Sequence, residues 1–312
     1  MSFPTFDLSE FENATGSDRR KLAVKVDRIC RKTGFLVLTG HGVSDDVIAL
    51  QWAGVKSFFS KEAEFKRASA APYIGYPYGY LGPDKEALAK SLGVKTPPDL
   101  KESFNGGPLS VPAYMTDPDA LAFCNMPTLW PDLPDFKRAW SAYYAAMEDL
   151  AARIMTAFAA ALDLPDDFFA PSIADPVSAL RALHYPATTD AFLERQQRAG
   201  AHSDFGSLSI LLPQSGSTGL QIAQDDYWID VPAPEGAFIV NIGDLMARWT
   251  ADRWVSTVHR VVARSNEPAR QSLAFFHQPD WDADIAPLDG SEVYPSAKAG
   301  PYLMSKFKST GT

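Results

Sequence analysis

Two histidines and one aspartate in the second half of the chain have the residue types and spacing of a metal site. His202 and Asp204 stand one residue apart at the start of an apolar run, and in an extended strand residues i and i+2 point to the same side. His259 opens another short run further along. Two imidazoles and a carboxylate form the facial ligand set of non-haem Fe(II), although zinc can use the same atoms. Alternatively, His202 and Asp204 form a turn pair and His259 is an ordinary strand residue.

An arginine and a serine follow in an alternating segment. Arg270, Ser272, Ala274, Phe276 and Gln278 fall on one face of a predicted strand. If that face points inward, an unpaired guanidinium is costly to bury, so a carboxylate must meet it. A bound dicarboxylate would satisfy this need, with Arg270 as a bidentate donor and Ser272 as a hydroxyl donor. The alternative is an arginine near a strand end that pairs with a surface acid.

The first 60 residues predict, in order, a strand, a helix, a second strand and a second helix. Ser17 can cap the first helix and Gly34 can end it, while Ser44 can cap the second. Residues 70–135 are rich in Pro, Gly and Tyr and predict an irregular segment. Such a segment either covers a pocket or packs on the surface through its own aromatic residues.

The second part of the chain predicts a long scaffold helix followed by short strands. The helix, over 136–163, carries one apolar stripe from Trp140 to Leu162. From residue 179 onward, short β-type runs separated by Gly, Pro and Asp indicate a sandwich or jelly roll, with its β core at about 179–280 and the N-terminal helices outside. The predicted strands cover 179–185, 207–212, 219–222, 227–231, 237–242, 259–263 and 272–278.

Charge and cysteine content restrict the partners. The 312 residues include 29 Lys and Arg against 38 Asp and Glu, a net charge of −9, which disfavours nucleic acid and anionic membranes as partners. Two cysteines cannot build a disulfide framework, and the first residues lack the basic and apolar segments of a signal peptide. We therefore expect a reduced, cytoplasmic protein.

The order of these residues resembles the isopenicillin N synthase-like group of Fe(II)/2-oxoglutarate-dependent oxygenases. The matching segments of the second half are HSDFGSLSILLPQ, GLQI, WIDVPAPEGAFIVNIGDLMARWT, STVHRVV and RQSLAFFHQPDWDADIAP. In the first half, PTFDLSEF, GFLVLTGHGV, SFFSKEAEFK and DLKESFNGG are similar to that group's N-terminal region. The combined pattern is specific, although its separate pieces are not, and it covers nearly the whole chain.

The resemblance implies a mostly β core with flanking helices, namely a double-stranded β-helix (a cupin-like jelly roll) with a helical N-terminal region. We expect two parts of one compact unit. Residues 1–135 would form a mixed helical region with the pocket-covering segment, and residues 136–312 the scaffold helix with the oxygenase core.

The resemblance also implies the ligands. Fe(II) would be held by His202, Asp204 and His259, and the cosubstrate 2-oxoglutarate by Arg270 and Ser272. The implied reaction consumes O2, releases succinate and CO2, and hydroxylates, desaturates or cyclises a small organic substrate. Ascorbate is expected to stimulate it.

Tyr185 is a further cosubstrate candidate. The family's Tyr-Pro step matches Tyr185-Pro186, and that tyrosine commonly bonds the same end of 2-oxoglutarate. Its alternative is a core tyrosine before a turn proline. Plant members often carry an asparagine where this chain has Leu183, so one polar contact is missing here.

Five residues are candidates for the substrate pocket. Phe276 and Gln278 share the face of the predicted cosubstrate arginine. Phe104 and Asn105 would reach the pocket from the irregular segment, and Arg181 either is structural or meets an acidic substrate.

Four other polar residues are expected to be structural. His41 lies in a family turn, and His277 points away from the predicted inward face and is not a ligand. Asn241 and Asp244 are expected to fix a turn.

Two other functions stay open at this point. A same-fold Fe(II) oxidase that does not use 2-oxoglutarate would keep the same arginine and serine for its substrate's carboxylate. A metal-dependent binding module without turnover, or a zinc hydrolase, would keep the metal ligands alone. The sequence does not indicate an oligomeric state.

Overall fold

The computed structural model describes residues 3–73, 75–83, 85–188 and 192–310, and all statements of structure concern these ranges. The strands are β1 (Thr5–Asp7), β2 (Phe35–Thr39), β3 (Gly79–Leu81), β4 (Glu102–Gly106), β5 (Ala179–Tyr185), β6 (Ala199–His202), β7 (Leu208–Pro213), β8 (Leu220–Gln224), β9 (Tyr227–Asp230), β10 (Phe238–Ile242), β11 (His259–Val261), β12 (Arg270–His277), β13 (Asp284–Ile285) and β14 (Ala297–Lys298). The helices are α1 (Leu8–Asn13), α2 (Gly16–Lys32), α3 (Asp45–Phe59), α4 (Ala63–Arg67), α5 (Pro118–Ala122), α6 (Phe136–Ala161), α7 (Asp244–Trp249) and α8 (Ala299–Thr310), with 3-10 turns at Leu88–Leu92 and Ala170–Ser172.

Two sheets pack against each other. The main sheet has eight strands in the order β1-β2-β10-β7-β12-β5-β4-β3, and the minor sheet has four in the order β6-β11-β8-β9. Side chains of both sheets meet in one buried apolar cluster, which includes Ile239 and Ala274 of the main sheet and Ile222 and Val261 of the minor one. We call the main-sheet face towards this cluster the inner face and the opposite one the outer face. The predicted β core with flanking helices is confirmed.

Helix α6 covers the outer face. Its buried residues Trp140, Met147 and Ile154 share a core with outward-facing strand residues such as Ile210 and Phe275. The apolar stripe predicted from the sequence therefore packs against the sheet. The sheet's period of two then places alternate strand residues in the opposite layer, where the candidate site lies.

The sequence did not reveal how far the main sheet extends. Four of its strands, β1 to β4, precede residue 135, so the β core is larger than the predicted 179–280. The segment 70–135 is not wholly irregular, because β3 and β4 form one edge of the main sheet. Strand β3 has only three residues and β4 is mostly polar, so it is the pairing of β3 with β4 and of β4 with β5 that shows they belong to the sheet.

Gly34 joins α2 to β2 through a left-handed turn. Its φ is +59°, and a Cβ there would lie 2.0 Å from the carbonyl oxygen of Val255. The Gly34 amide donates to the Ile29 carbonyl, which closes the helix. This turn directs β2 into the sheet beside β10, where Phe35 pairs with Asn241.

In the described part of the chain, every helix is too short or too polar to cross a lipid bilayer.

Candidate active site

The predicted metal ligands come together between the sheets. Strand β6 ends at His202 and β11 begins at His259, and the two residues are register partners. Each Nε2 atom lies 3.9 Å from Oδ1 of Asp204, which follows β6. One ligand atom from each of the three residues lies within 4.8 Å of the others. Strand pairing therefore brings together residues that are far apart in the sequence.

Backbone carbonyls orient both imidazoles. The Nδ1 atom of His202 lies 2.7 Å from the Gly200 carbonyl oxygen, and that of His259 lies 3.2 Å from the Thr257 carbonyl oxygen. Because a carbonyl only accepts, we assign the proton to Nδ1 in each ring. Both Nε2 lone pairs are then free to bind a metal ion.

Asp204 has one oxygen held and one free. Ser209 Oγ donates to its Oδ2 at 2.6 Å and Asn241 Nδ2 at 2.8 Å, so Oδ1 is left towards the histidines. Burial opposes its ionisation, but His259, His202 and these hydrogen bonds together hold the pKa of Asp204 below its usual value. The expectation that Asn241 fixes a turn is wrong, since it lies in β10 and fixes this carboxylate.

The protonation states suit a divalent cation. Burial and the neighbouring His259 lower the pKa of His202 to about 3, so its imidazole is neutral at physiological pH. Two imidazole Nε2 atoms and an ionised carboxylate are the donors that Fe(II) takes in facial sites. The residues present therefore fit the metal.

Arg270 lies on the inner face and is buried, with 7% of its surface exposed. Its Nε and Nη2 atoms have no hydrogen-bond partner among the described residues. Burial lowers its pKa, and its closest aromatic neighbour is the ring of Tyr185, 4.5 Å from the guanidinium carbon. The alternative of a surface ion pair for Arg270 therefore fails within the described ranges.

A cavity surrounds this guanidinium between the two sheets. It is lined by Tyr185, Leu211, Leu220, Val261, Arg270 and Ser272, among others. Tyr185 and Arg270 are register partners on β5 and β12, which places three predicted cosubstrate residues on one wall. Leu183, where plant relatives carry an asparagine, partners Ser272 and adds no polar group.

The register across the main sheet orders the remaining candidates. Asn241, Ser209 and Phe276 are partners on β10, β7 and β12, so Phe276 lies beside the residues that hold Asp204. In the next inward-facing row, Arg181 partners Asn105. Three of the five predicted pocket residues thus lie on the inner face: Phe276, Asn105 and Arg181. Gln278 follows the end of β12, and its side-chain amide lies beside Gly206, two residues after Asp204.

Phe104 is the exception, and its prediction is wrong. It is fully buried on the outer face, where its ring packs 5.3 Å from Phe58 and 5.1 Å from both Phe136 and Trp140. Adjacent residues of a strand point to opposite faces, so Phe104 and Asn105 cannot both reach the site.

Three charged residues near the site escaped the sequence analysis. Lys101 forms buried ion pairs with Glu86 and Asp99, and Glu86 also binds Arg181. Asp99 accepts the amide of Gly200, whose carbonyl holds His202. The sequence DLKES contains alternating charges, but it does not show which strand they border.

The remaining polar residues have structural partners. His41 bonds the Gly236 carbonyl and packs against Phe238. His277 lies on the outer-face side of β12 and bonds Ser207, away from the candidate ligands as the alternation predicts. Asp244 starts α7 rather than a simple turn, and it pairs with Lys306.

Comparison with known proteins shows the family. Residues 176–279 match the 2OG-Fe(II) oxygenase superfamily, and residues 3–133 match the N-terminal region described as non-haem dioxygenase in morphine synthesis. Validamycin A dioxygenase of Streptomyces hygroscopicus subsp. limoneus is 32% identical over 98% of this chain and 86% of its own. A 2-oxoglutarate-dependent dioxygenase of Talaromyces stipitatus is 33% identical over 98% and 95%.

The chain belongs to the 2OG-Fe(II) oxygenase superfamily. A solved structure of a full-length Neurospora crassa protein in complex with α-ketoglutarate and thymine superposes with a TM-score of 0.85 at 27% identity, covering 99% of this chain and 97% of that one. The double-stranded β-helix fold is thereby confirmed. The protein is an Fe(II)- and 2-oxoglutarate-dependent dioxygenase of a small organic substrate, so the family, enzyme class and cofactors expected from the sequence are confirmed.

Proposed function

We propose that His202, Asp204 and His259 hold the Fe(II), and that Arg270, Ser272 and Tyr185 hold the far carboxylate of 2-oxoglutarate. The observation that carries this proposal is the buried guanidinium of Arg270, which has unpaired donors in a cavity between the sheets. A dicarboxylate that reached from the metal to this position would supply the missing acceptor.

The bound metal and cosubstrate supply an oxidant made from O2 as 2-oxoglutarate is converted to succinate and CO2. The chain's own residues hold the geometry. Ser209 and Asn241 keep Asp204 in place, and the two backbone carbonyls keep the imidazoles turned towards it. Apolar residues such as Leu220 and Val261 exclude water from the cosubstrate cavity.

We propose that Phe276, Gln278, Asn105 and Arg181 form the substrate wall and that the product is hydroxylated. The inward positions of Phe276, Asn105 and Arg181 and the place of Gln278 beside Gly206 support this assignment. The thymine held by the similar Neurospora crassa structure supports a small substrate.

We further propose that residues 1–135 and 136–312 work as one unit in the cytoplasm. In the main sheet, four central strands from the second part are flanked on each side by two strands from the first part, which supports the single unit. The described cysteines, Cys30 and Cys124, are free and buried, in keeping with a reducing compartment. Cell fractionation with a tagged chain tests the location.

The residue roles are tested with purified protein and Fe(II) under anaerobic conditions. Addition of 2-oxoglutarate should produce the visible charge-transfer band of a chelated cosubstrate. Asp204→Ala should abolish the band, and Arg270→Met should require a far higher 2-oxoglutarate concentration. In air, with and without ascorbate, only the wild type should form succinate efficiently. An unchanged band in Asp204→Ala would refute the assigned ligand set.

A further inference from the structure

The position of Arg181 places it on the proposed substrate wall. It lies on the inner face of β5, where its register partners are Ala274 and Asn105. Its guanidinium carbon is 6.0 Å from the ring of Phe276, which lies beside the residue that holds the metal-site aspartate. A substrate near the metal would therefore meet this arginine.

The charge of Arg181 is already neutralised within the protein. Its Nη1 lies 3.0 and 3.3 Å from the two carboxylate oxygens of Glu86. Lys101 Nζ lies 3.1 Å from Glu86 and 3.0 Å from Asp99. Two cations and two anions thus form one network with a net charge of zero.

Glu86 and Lys101 stay ionised at physiological pH. Burial opposes the charge of Glu86, but Arg181 and Lys101 outweigh it and hold the pKa of Glu86 at about 2. Burial likewise opposes the charge of Lys101, yet Glu86 and Asp99 raise its pKa above the usual value. The network therefore has no spare positive charge for a substrate anion.

The proposed cosubstrate end differs, because Nε and Nη2 of Arg270 have no partner among the described residues. Arg181 bonds Glu86 through Nη1 alone, but a second carboxylate at this guanidinium would give the network a net negative charge beside Glu86, which has only 10% of its side chain exposed. Two like charges this close in a partly buried site repel each other. A neutral group adds no such repulsion.

Two side-chain acceptors on the same wall lack partners. Asn105 Oδ1 and Gln278 Oε1 are buried and have no hydrogen-bond partner among the described residues. Each residue has 8% of its surface exposed. Buried acceptors without partners are destabilising, so a ligand with N–H or O–H donors would satisfy them.

We infer that this enzyme selects an uncharged substrate with N–H or O–H donors, such as a cyclic amide, an imide or an alcohol, and excludes carboxylates at the substrate wall. This inference rests on the proposed function of that wall. It replaces the expectation that Arg181 meets an acidic substrate.

The test uses matched probes that differ in charge: uracil against orotate, and benzamide against benzoate. Binding is measured anaerobically as the perturbation of the Fe(II)·2-oxoglutarate absorption band. In the wild type, each neutral probe should bind at least tenfold more tightly than its carboxylate counterpart. Glu86→Gln releases Arg181, so its affinity for orotate and benzoate should rise at least tenfold.

The matched control is Glu235→Gln, an exposed residue outside the network, which should behave as the wild type does. The band itself reports whether the metal and cosubstrate bind, so its loss counts against the proposed function and not against this inference. Wild type that prefers the carboxylates, or a Glu86→Gln protein that keeps the band and gains no affinity for them, overturns the inference.

A second variant decides the question if Glu86→Gln fails to fold. The double variant Glu86→Gln with Arg181→Gln removes one anion and one cation, so the network keeps a net charge of zero through Lys101 and Asp99. If the substrate wall excludes carboxylates, their weak binding should not change in this variant. A tenfold loss of orotate or benzoate affinity would show that Arg181 already binds anions and would overturn the inference.

Discussion

Glu102 and Arg270 are both buried charges on the main sheet, but they lie on opposite faces and differ in their partners. On the outer face, Glu102 accepts from Lys66 at 2.7 and 3.0 Å, lies 2.7 Å from Nδ1 of His184, and also binds Tyr80. On the inner face, Arg270 has two nitrogen atoms without partners in the described ranges. A buried charge that is saturated, with all its hydrogen-bonding positions occupied, stabilises the fold. An unsaturated buried charge has unpaired donors that can bind a ligand.

Arg198 shows that the difference does not depend on residue type. It has 2% of its surface exposed against 7% for Arg270, and the pKa of both is lowered by burial. The Nε atom lacks a hydrogen-bond partner in both arginines, but only Arg270 also has an unpaired Nη2. Arg198 nevertheless has partners, because it pairs with Glu267 and donates to the carbonyls of Pro186 and Pro268. Arg198 therefore connects chain segments, and its charge is compensated by Glu267 without a bound ligand.

The largest expected effect follows from removing Glu102, the saturated buried charge. Glu102→Ala leaves Lys66 buried without its carboxylate, so the free energy of unfolding should fall by about 3–5 kcal/mol. Urea denaturation followed by circular dichroism measures it. Glu64→Ala, an exposed change on the same helix as Lys66, is the control and should cost under about 0.5 kcal/mol. A loss below about 1 kcal/mol for Glu102→Ala would contradict the role assigned to it.

Removing the unsaturated charge, Arg270, should have the opposite effect on stability and should weaken cosubstrate binding. Arg270→Met removes an unpaired buried cation, so without ligand the protein should be more stable by about 1 kcal/mol or more. Its affinity for 2-oxoglutarate should fall about 100-fold, a loss of about 2.7 kcal/mol for a bidentate charged contact.

Thermal melts with and without 2-oxoglutarate measure both effects in one experiment. The cosubstrate should raise the Tm of the wild type and hardly change that of Arg270→Met. Arg198→Met is the matched control and should be destabilised. If both arginine variants lose stability equally, the distinction between the two faces fails.

A smaller effect is expected for Asp99, which connects the network of Arg181, Glu86 and Lys101 to the metal site. Asp99 Oδ1 accepts the Gly200 amide at 3.0 Å, and the Gly200 carbonyl holds His202. Asp99→Asn weakens the pairing with Lys101 and loosens this connection, so the affinity for Fe(II) should fall about tenfold, as for other outer partners of metal ligands. Anaerobic titration measures it, with the exposed Asp226→Asn as control. A lower Tm with unchanged metal affinity would show that Asp99 is structural only.

The effect that is smallest at physiological pH is a pH dependence of stability caused by His277 on the outer face. Burial lowers the pKa of His277 from 6.5 to about 4. The unfolded chain then binds a proton that the folded protein does not, so the contribution of His277 to stability is full above pH 6.5 and is lost as the pH falls towards 4. Urea midpoints at several pH values should fall less steeply below pH 6.5 in His277→Gln than in the wild type. Equal slopes would contradict this assignment.

The sequence predicted the features that are marked by neighbouring residues, and it missed those that depend on the pairing of distant strands. The strand Ala179–Tyr185 was predicted with its observed bounds, because alternation and turn residues mark it within a few positions. The ligands His202 and Asp204 share a side by the same local rule. Asn241 and Lys101 were misread or missed, since their roles arise only from the register of strands that are far apart in sequence.

Phe104 and Asn105 show the limit of reasoning from composition. The sequence placed both near the pocket because the segment around them looked irregular. Once β4 is known to pair with β5, its period of two assigns one residue to each face. The sequence pattern alone could not show which of these residues face inward, because β4 has polar residues on both faces. Glu102 is on the outer face, and Ser103 and Asn105 are on the inner face.

The pairing of β2 with β10 also has a consequence for synthesis on the ribosome. Strand β2 at Phe35–Thr39 pairs with residues 238–241 of β10, which emerge roughly 200 residues later, or about 10–40 s at ordinary translation rates. Until then this apolar strand has no partner on that side and is exposed to aggregation or chaperone capture. A chain truncated before residue 238 would therefore be a substrate for quality control rather than a partly active enzyme.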